Sequence, residues 1–410
     1  SAISQGGLRL TGLRWEKKTE YNVGTDIGFF NDALTADVNV YRNVTSDQLM
    51  RDYAIANYNG YSSLSYRNSG AVMNRGWELT VNGNKFIKVG DFSMNCYVNV
   101  GQNFNRILEM EESVLNSQNG DYNFKNSSYL GRIQVGNPLG SFYGFRSKGI
   151  YEYSYKNWEK ALANPDCYNR PVATDDNGNT IYGASCPIAY DEDGNVIYGA
   201  NGKPLPMVFG YEDGTQRYSF RGGDAIYEDI NHDGNINELD IVYLGNSNPA
   251  AQGGFGFTFM YKRLSLKTQF TYRAGVDVVN AARMNIENMY TNNNQSIAVN
   301  WRWRKEGDQT QIPRALYNTG YNWLGSDRYV EDASYVRFSY LQMSYNFDTQ
   351  KLKKYGLQSL YLSGSANNLF VWTNYTGLDP EVAVGGWGCA TDNAKTPRSK
   401  SYTLALTVGF

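Results

Sequence analysis

Hydrophobic and polar residues alternate along many stretches of the chain, and this alternation puts every second side chain on the same face of an extended strand. Val38 and Val40, for example, alternate with Asn39 and Tyr41. In the stretch 333–347 the apolar positions change phase, which predicts either a β-bulge or a different strand boundary there. The pattern predicts nine strands, at residues 16–29, 34–47, 71–86, 91–105, 251–261, 264–276, 333–347, 358–373 and 399–410.

The length of these strands and the nature of their polar face decide the fold class. Strands of soluble proteins are usually about 5–6 residues long, whereas a strand that crosses a bilayer at a tilt needs about 9–11. The polar faces consist largely of Asn, Thr, Ser and Tyr, which suits a water-filled lumen, while the apolar faces suit lipid. The expected fold is therefore all-β, a transmembrane antiparallel β-barrel.

Short and long connections alternate between the predicted strands, as in bacterial barrels with short periplasmic turns and long extracellular loops. Nine strands are an odd number, so we expect the chain to be part of a larger barrel whose other strands lie outside this sequence. The long connections fall near 48–70, 106–250, 277–332 and 374–398. We accordingly expect barrel strands and one extracellular loop in 1–105, a loop subdomain of its own in 106–250, and further barrel strands in 251–410.

Composition excludes several kinds of chemistry. The net charge of -2 argues against a nucleic-acid partner, and a single histidine, His232, argues against histidine catalysis and multi-histidine metal sites. No nucleophile motif such as GxSxG or HExxH occurs, so no enzyme is predicted. Cys167 and Cys186 lie in one polar region, where a disulfide and two free thiols both remain open.

The sharpest local motif is the run of acidic and amide residues at 229–240, with Gly234 at its sixth position. Ca²⁺ takes roughly six to eight oxygen ligands, and alternating side chains of such a loop can supply several of them. The last position holds Asp instead of Glu, so a structural calcium site and a polar turn without metal both stay open. The expected ligands are Asp229, Asn231, Asp233, the backbone carbonyl of Asn235, and Asp240.

Aromatic residues are frequent, at 15% of the chain, and many fall in the long connections. Their rings could stack on sugars or peptide side chains, or belong to the aromatic girdle and loop packing of any barrel. Two similar runs at 175–184 and 191–200 contain Asn-Gly or Asp-Gly, which predicts surface hairpins, with a second metal site as the alternative. The candidate substrate contacts are Tyr58, Tyr61, Trp301, Tyr321, Trp323 and Trp387.

Several motifs in the chain belong together. They are WEKKTEYNVG at 15–24, GNPLGSFYGF at 136–145, GDAIYED at 223–229, LGNSNP at 244–249, and the Asn, Tyr, Gly and Asp-Pro-Glu positions between 367 and 381. As a set they resemble the C-terminal part of the SusC/RagA family of TonB-dependent outer-membrane transporters of Bacteroidetes, and the resemblance extends over nearly the whole chain. The final strand, which ends at Phe410, looks like the signal that the barrel-assembly machinery reads.

The resemblance implies a 22-stranded barrel with an N-terminal plug, of which the plug and the first strands are outside this sequence. It also implies import of oligosaccharides or peptides, a SusD-like surface lipoprotein as a lid, energy from TonB, and a pairing of two transporter–lipoprotein complexes in a lipid and lipopolysaccharide outer membrane. The alternatives are a non-transporting outer-membrane adhesin or anchoring barrel and a secreted all-β binding module.

Overall fold

The computed structural model of the chain is a large antiparallel sheet with long connections at one end. The described residues are 12–54, 63–112, 114–115, 119, 125–164, 170–174, 180–183, 185–211, 216–348, 350, 353–383 and 389–410. Among them, no helix is long and apolar enough to cross a membrane.

Nine strands form the main sheet, and each pairs with the next one along the chain in antiparallel fashion. All nine strands predicted from the alternation are present, with ends that differ by only a few residues. They are β1 Lys17–Phe29, β2 Leu34–Ser46, β3 Ala71–Val89, β4 Phe92–Glu109, β5 Ala251–Tyr261, β6 Leu264–Ala274, β7 Tyr335–Asn346, β8 Ser359–Thr373 and β9 Ser401–Gly409.

The register of the strands gathers the apolar side chains in continuous rows on one side of the sheet, called here the apolar face. The rings of Phe255 and Phe270 stack with centroids 4.7 Å apart, and those of Phe270 and Phe338 at 4.6 Å. The face stays accessible, as the 79% exposure of Leu404 shows, so no second layer of the described residues covers it. One complete row consists of Ile27, Ala36, Val81, Val98, Phe255, Phe270, Phe338 and Phe370.

The opposite side, called the polar face, carries rows of amide, hydroxyl and charged side chains. Tyr41 donates a hydrogen bond across the sheet to Asn103 over 3.1 Å, and Asn105 donates to Asn74 over 2.8 Å. The expected bulge in β7 is confirmed, because the register with both neighbouring strands shifts between Phe338 and Tyr340. One polar row consists of Asp26, Asp37, Thr80, Asn99, Gly254, Thr271 and Arg337.

The long connections all leave from one end of the sheet and contain short elements of their own. The strands are Leu49–Ala54, Ser63–Asn68, Leu130–Gly131, Ser141–Gly144, Ser147–Ile150, Arg170–Thr174, Thr180–Gly183, Val208–Gly210, Gln216–Ser219, Ala225–Tyr227, Asn235–Ile236, Val242–Asn246, Asp277–Val279 and Val330–Asp332. The α-helices are α1 Trp158–Ala163 and α2 Ala281–Glu287. The 3-10 turns are Tyr155–Asn157, Glu238–Asp240, Ile297–Trp301 and Asp327–Tyr329 in the connections, and Lys353–Tyr355 in the turn before β8.

The buried core of the molecule lies in these connections and is shared between them. Leu324, from the connection before β7, packs into the same cluster as Phe145 and Phe209 from the connection before β5. In a second cluster Phe142 packs with Trp323 and Tyr329. The described residues of 106–250 thus share part of their core with the connection before β7, and the loop subdomain stays a prediction. We call the described parts of 110–250, 275–334 and 374–400 the loop assembly.

Candidate functional site

The polar face of the first four strands forms a groove whose lining suits hydroxyl and amide groups. Asn103 accepts from the Tyr41 hydroxyl and donates to Asn74 over 3.5 Å, so amides and hydroxyls already interact across the wall. Amide side chains donate and accept, and can therefore bind either a sugar hydroxyl or a peptide group. The groove is lined by Lys18, Glu20, Asn22, Asn39, Tyr41, Asn43, Thr45, Asn74, Glu78 and Asn103.

A second groove lies on the polar face between β5 and β8, where the last long connection returns onto the wall. Arg337 of β7, whose side chain is only 5% exposed, forms ion pairs with Asp379 at 2.6 Å and Glu381 at 3.6 Å. Arg398 also pairs with Glu381. Burial would raise the pKa of Asp379, but hydrogen bonds from the backbone N–H groups of Glu381 and Arg398 and the charge of Arg337 outweigh it and lower that pKa. The acidic pair therefore clamps the connection onto the wall.

A buried ion pair joins the two largest connections within the loop assembly. Arg314 donates to both carboxylate oxygens of Asp224, over 2.7 and 3.1 Å, and Asp224 is completely buried. Tyr218 donates its hydroxyl to Asp224 over 2.8 Å and accepts from Arg314 over the same distance. Burial and the Asp224 charge raise the pKa of Tyr218, so its hydroxyl stays protonated. The sequence shows Asp224 only as part of a motif, and Arg314 lies far from it along the chain.

The Asp/Asn/Gly loop forms a compact turn that uses its own amides. Asp229 accepts from the backbone N–H of Asp233 over 3.3 Å and of Gly234 over 2.8 Å. Asp233 accepts from the backbone N–H of Asn235 over 2.7 Å, and the Asn231 amide donates to Asp233 over 2.9 Å. Gly234 has a φ of +79°, a backbone conformation that would be strained for a residue with a side chain. A Cβ at this position would also lie close to the side chains of Ala189 and Leu205. The turn is thus held by hydrogen bonds and packing.

Asp240 closes the loop from its far end. It is completely buried and accepts from the backbone N–H groups of Ile230 over 2.8 Å and Asn237 over 2.9 Å. Burial, with a contribution from the charges of Asp229 and Asp233, raises the pKa of Asp240 to about 7. Within the described part of the chain, no group of three or more His, Cys, Asp or Glu residues is arranged to hold a metal ion. Hydrogen bonds account for the loop as it stands, and the calcium site stays a prediction.

Of the aromatic residues predicted to contact substrate, the three that the structure describes differ in their exposure to solvent. Trp301 is 66% exposed at the end of its 3-10 turn and is available to a solute. Tyr321 stacks on Phe209 with ring centroids 4.2 Å apart, and Trp323 is only 2% exposed. The rings of Tyr321 and Trp323 pack against other side chains of the loop assembly. Tyr58, Tyr61 and Trp387 lie outside the described residues, as does Cys167 of the possible disulfide.

Comparisons with known proteins agree with this architecture. Residues 3–190 match the family described as TonB dependent receptor-like, beta-barrel. The TonB-dependent receptor P39 of Formosa agariphila is 28% identical over 97% of this chain and 36% of its own length. The TonB-dependent receptor SusC of Bacteroides thetaiotaomicron is 24% identical over 97% of this chain and 32% of its own length.

Among solved structures, the RagAB peptide importer in its closed-closed state matches with a TM-score of 0.65 and 20% identity. That match covers 97% of this chain and 36% of the importer chain, and at this identity it shows the fold. The chain thus spans about a third of the length of its relatives. The family is one of transport receptors and not of enzymes, which confirms the prediction made from the sequence. With a match to the family model over residues 3–190, relatives along nearly its entire length and the same strand architecture, the chain is similar throughout to the TonB-dependent receptor family of β-barrels.

Proposed function

We propose that the protein to which this chain belongs imports oligosaccharides or peptides across the outer membrane, driven by TonB. The observation that carries the proposal is the two-faced sheet: apolar rows that suit lipid on one side, and on the other a wall of amide and hydroxyl groups that suits a water-filled lumen. The loop assembly stands at the end where the long connections leave, in the position of an extracellular mouth.

The proposal includes two partners. One is TonB, which would act through a plug in the remainder of the protein. The other is a surface lipoprotein of the SusD type, which would close the mouth as a lid. Support comes from the relatives: one carries the name SusC, and RagAB is described as a peptide transporter.

The proposed substrate class follows from the chemistry of the grooves. The groove on β1–β4 offers amides and a tyrosine hydroxyl, which bind uncharged polar groups, and only a few charged side chains. Trp301 adds an exposed ring in the loop assembly that can stack on a sugar or an aromatic side chain. Neither feature distinguishes a glycan from a peptide, and both fit extended polar oligomers.

The direct test is uptake by cells that express the full-length protein. Labelled oligosaccharide and peptide mixtures would be offered to wild-type cells, to cells without the gene and to cells without TonB. We expect uptake of one class to need both the gene and TonB, and the Asn103→Leu and Tyr41→Leu variants to reduce it while the protein stays in the outer membrane. A matched control is Val40→Leu on the apolar face, which should leave uptake unchanged. Equal uptake with and without the gene would contradict transport and favour the anchoring barrel.

A further inference from the structure

The apolar face carries very few charges, and all of them lie at one end. Along the nine strands, apart from the bulge at residues 84–86 of β3 and from Glu109, which pairs with Ala71 beyond the register shift at the end of β4, its positions hold no Asp or Glu, by the strand registers. The four other charged positions are basic and lie towards the long connections. They are Lys17 on β1, Arg42 on β2, Arg75 on β3 and Arg106 on β4.

Two of these arginines face each other directly. Arg42 is the cross-strand partner of Arg75, and like charges in that position destabilise a sheet. Phe104 is the partner of Arg75, and Arg106 lies two residues further along β4 on the same face. The side chains of Arg75 and Arg106 are therefore diagonal neighbours. Arg42, Arg75 and Arg106 are exposed, and in the described part of the chain none of them forms an ion pair or a hydrogen bond. Three arginines therefore occupy neighbouring positions on the apolar face without an ion-pair partner among the described residues.

The position of the cluster along the wall matches the edge of a membrane. Phe92 lies at the other end of β4, twelve residues before Phe104. At about 3.3 Å per residue and a tilt near 40°, the two rows are separated by about 30 Å across the membrane. The apolar band of such barrels is about 25 Å tall. The arginines thus stand just beyond the band, at the level of lipid headgroups.

The surroundings of the cluster are suited to a lipid. The Arg75 guanidinium lies 5.7 Å from the centroid of the exposed Phe104 ring. A groove next to it is lined by Arg75, Phe104 and Arg106 from the wall and by Pro138 and Pro249 from the connections. Val40 and Trp77 form the next row towards the middle of the sheet and are apolar. Positive charge and apolar surface therefore meet at one place.

We propose that Arg42, Arg75 and Arg106 form a binding site for the phosphate group of an outer-leaflet glycolipid, with Phe104 and the row below it against the acyl chains. A guanidinium group can donate to two phosphate oxygens at once, and a phosphate shared between Arg42 and Arg75 would remove their repulsion. The inference rests on the proposed membrane placement, because the acyl chains need the apolar face to lie in lipid.

The test uses the full-length protein, extracted and purified in a mild detergent. Native mass spectrometry would measure binding of phosphorylated lipid A, of the same lipid A after phosphatase treatment, and of inorganic phosphate. We expect at least tenfold weaker binding of phosphorylated lipid A by the R42Q/R75Q/R106Q variant, and the same weakening for wild-type protein with the dephosphorylated lipid. Lys267→Gln, on the polar face, is the matched loss of a positive charge and should leave binding unchanged.

Three results would overturn the proposal: equal binding by the triple variant, equal binding of the dephosphorylated lipid, or inorganic phosphate binding as tightly as phosphorylated lipid A. The faster gel migration of an unheated, folded barrel shows that each variant is intact. If the apolar face did not lie in the membrane at all, the result would be different again. The protein would then be extracted without detergent, and neither the wild type nor the triple variant would bind lipid.

Discussion

The buried ion pair in the loop assembly allows the sharpest prediction about stability. Replacement of Arg314 by Met keeps an unbranched side chain of similar length but removes the charge that faces Asp224. Asp224 is completely buried, and among the described residues its side chain would keep as donors only the Tyr218 hydroxyl and the backbone N–H of Arg221. Removal of one partner from a buried pair leaves an uncompensated charge, which typically costs about 3–5 kcal/mol.

The cost should appear locally, because the pair joins two connections and does not touch the strands of the main sheet. Hydrogen–deuterium exchange on the full-length protein would measure it, segment by segment. In R314M we expect much faster exchange in residues 218–227 and 312–324, and unchanged exchange in the main sheet. The double variant R314M/D224N should lose less stability than the sum of the losses in the two single variants, because an asparagine at position 224 would carry no charge that needs a partner.

A matched substitution separates charge burial from the general loss of an arginine. Arg146 pairs with Glu228 at 3.1 Å, but its side chain is 50% exposed and Glu228 also pairs with Lys148. Arg146→Met should therefore cost no more than about 1 kcal/mol, the usual value of an exposed pair. If residues 218–227 and 312–324 exchanged deuterium at equal rates in R314M and R146M, the buried pair would not be the link that holds the two connections together.

Three further predictions concern the loop assembly. Gly223 has a φ of +85°, and a Cβ there would meet the Trp303 ring, so Gly223→Ala should make the loop assembly sensitive to protease. The control is Gly202→Ala, because Gly202 has a similar φ but lies in open space; this variant should show only the smaller effect of backbone strain. Burial raises the pKa of Asp240 to about 7, so between about pH 4 and pH 7 the folded loop holds a proton that the unfolded loop releases. The stability of the loop should therefore fall as the pH rises from about 4 to 7. Equal protease resistance of residues 229–240 at pH 5 and pH 8 would contradict this. If Ca²⁺ binds there, adding it at pH 8 should restore the resistance and a chelator should remove it, while no response to either would leave the polar turn as the explanation.

The strands could be predicted from the sequence because their signal is local. In β2 and β4 the alternation of side chains with a period of two gives both the element and the face, and sequential antiparallel pairing follows from short turns at one end. Even the irregularity of β7 is visible, because an inserted residue at the bulge shifts the apolar phase. Sequential order and alternation thus fix most of the main sheet.

The loop assembly could not be predicted in the same way, because its contacts join residues far apart in the chain. Arg314 has no neighbour in sequence that identifies Asp224 as its partner. A tryptophan in a connection looks the same whether it is exposed, as Trp301 is, or buried, as Trp323 is. The chain before β5 also cannot bury its apolar residues alone, since Leu324 from another connection completes the cluster. Only the three-dimensional arrangement decides these points.

The most direct test of the account compares two adjacent residues of β4, Val98 on the apolar face and Asn99 on the polar face. Spin labels at each position, in the full-length protein reconstituted in lipid, would be probed with oxygen, which concentrates in hydrocarbon, and with a water-soluble nickel complex. We predict that the label at Val98 responds mainly to oxygen and the label at Asn99 mainly to nickel. Equal access of the nickel complex to both labels would contradict a wall with lipid on one side and water on the other.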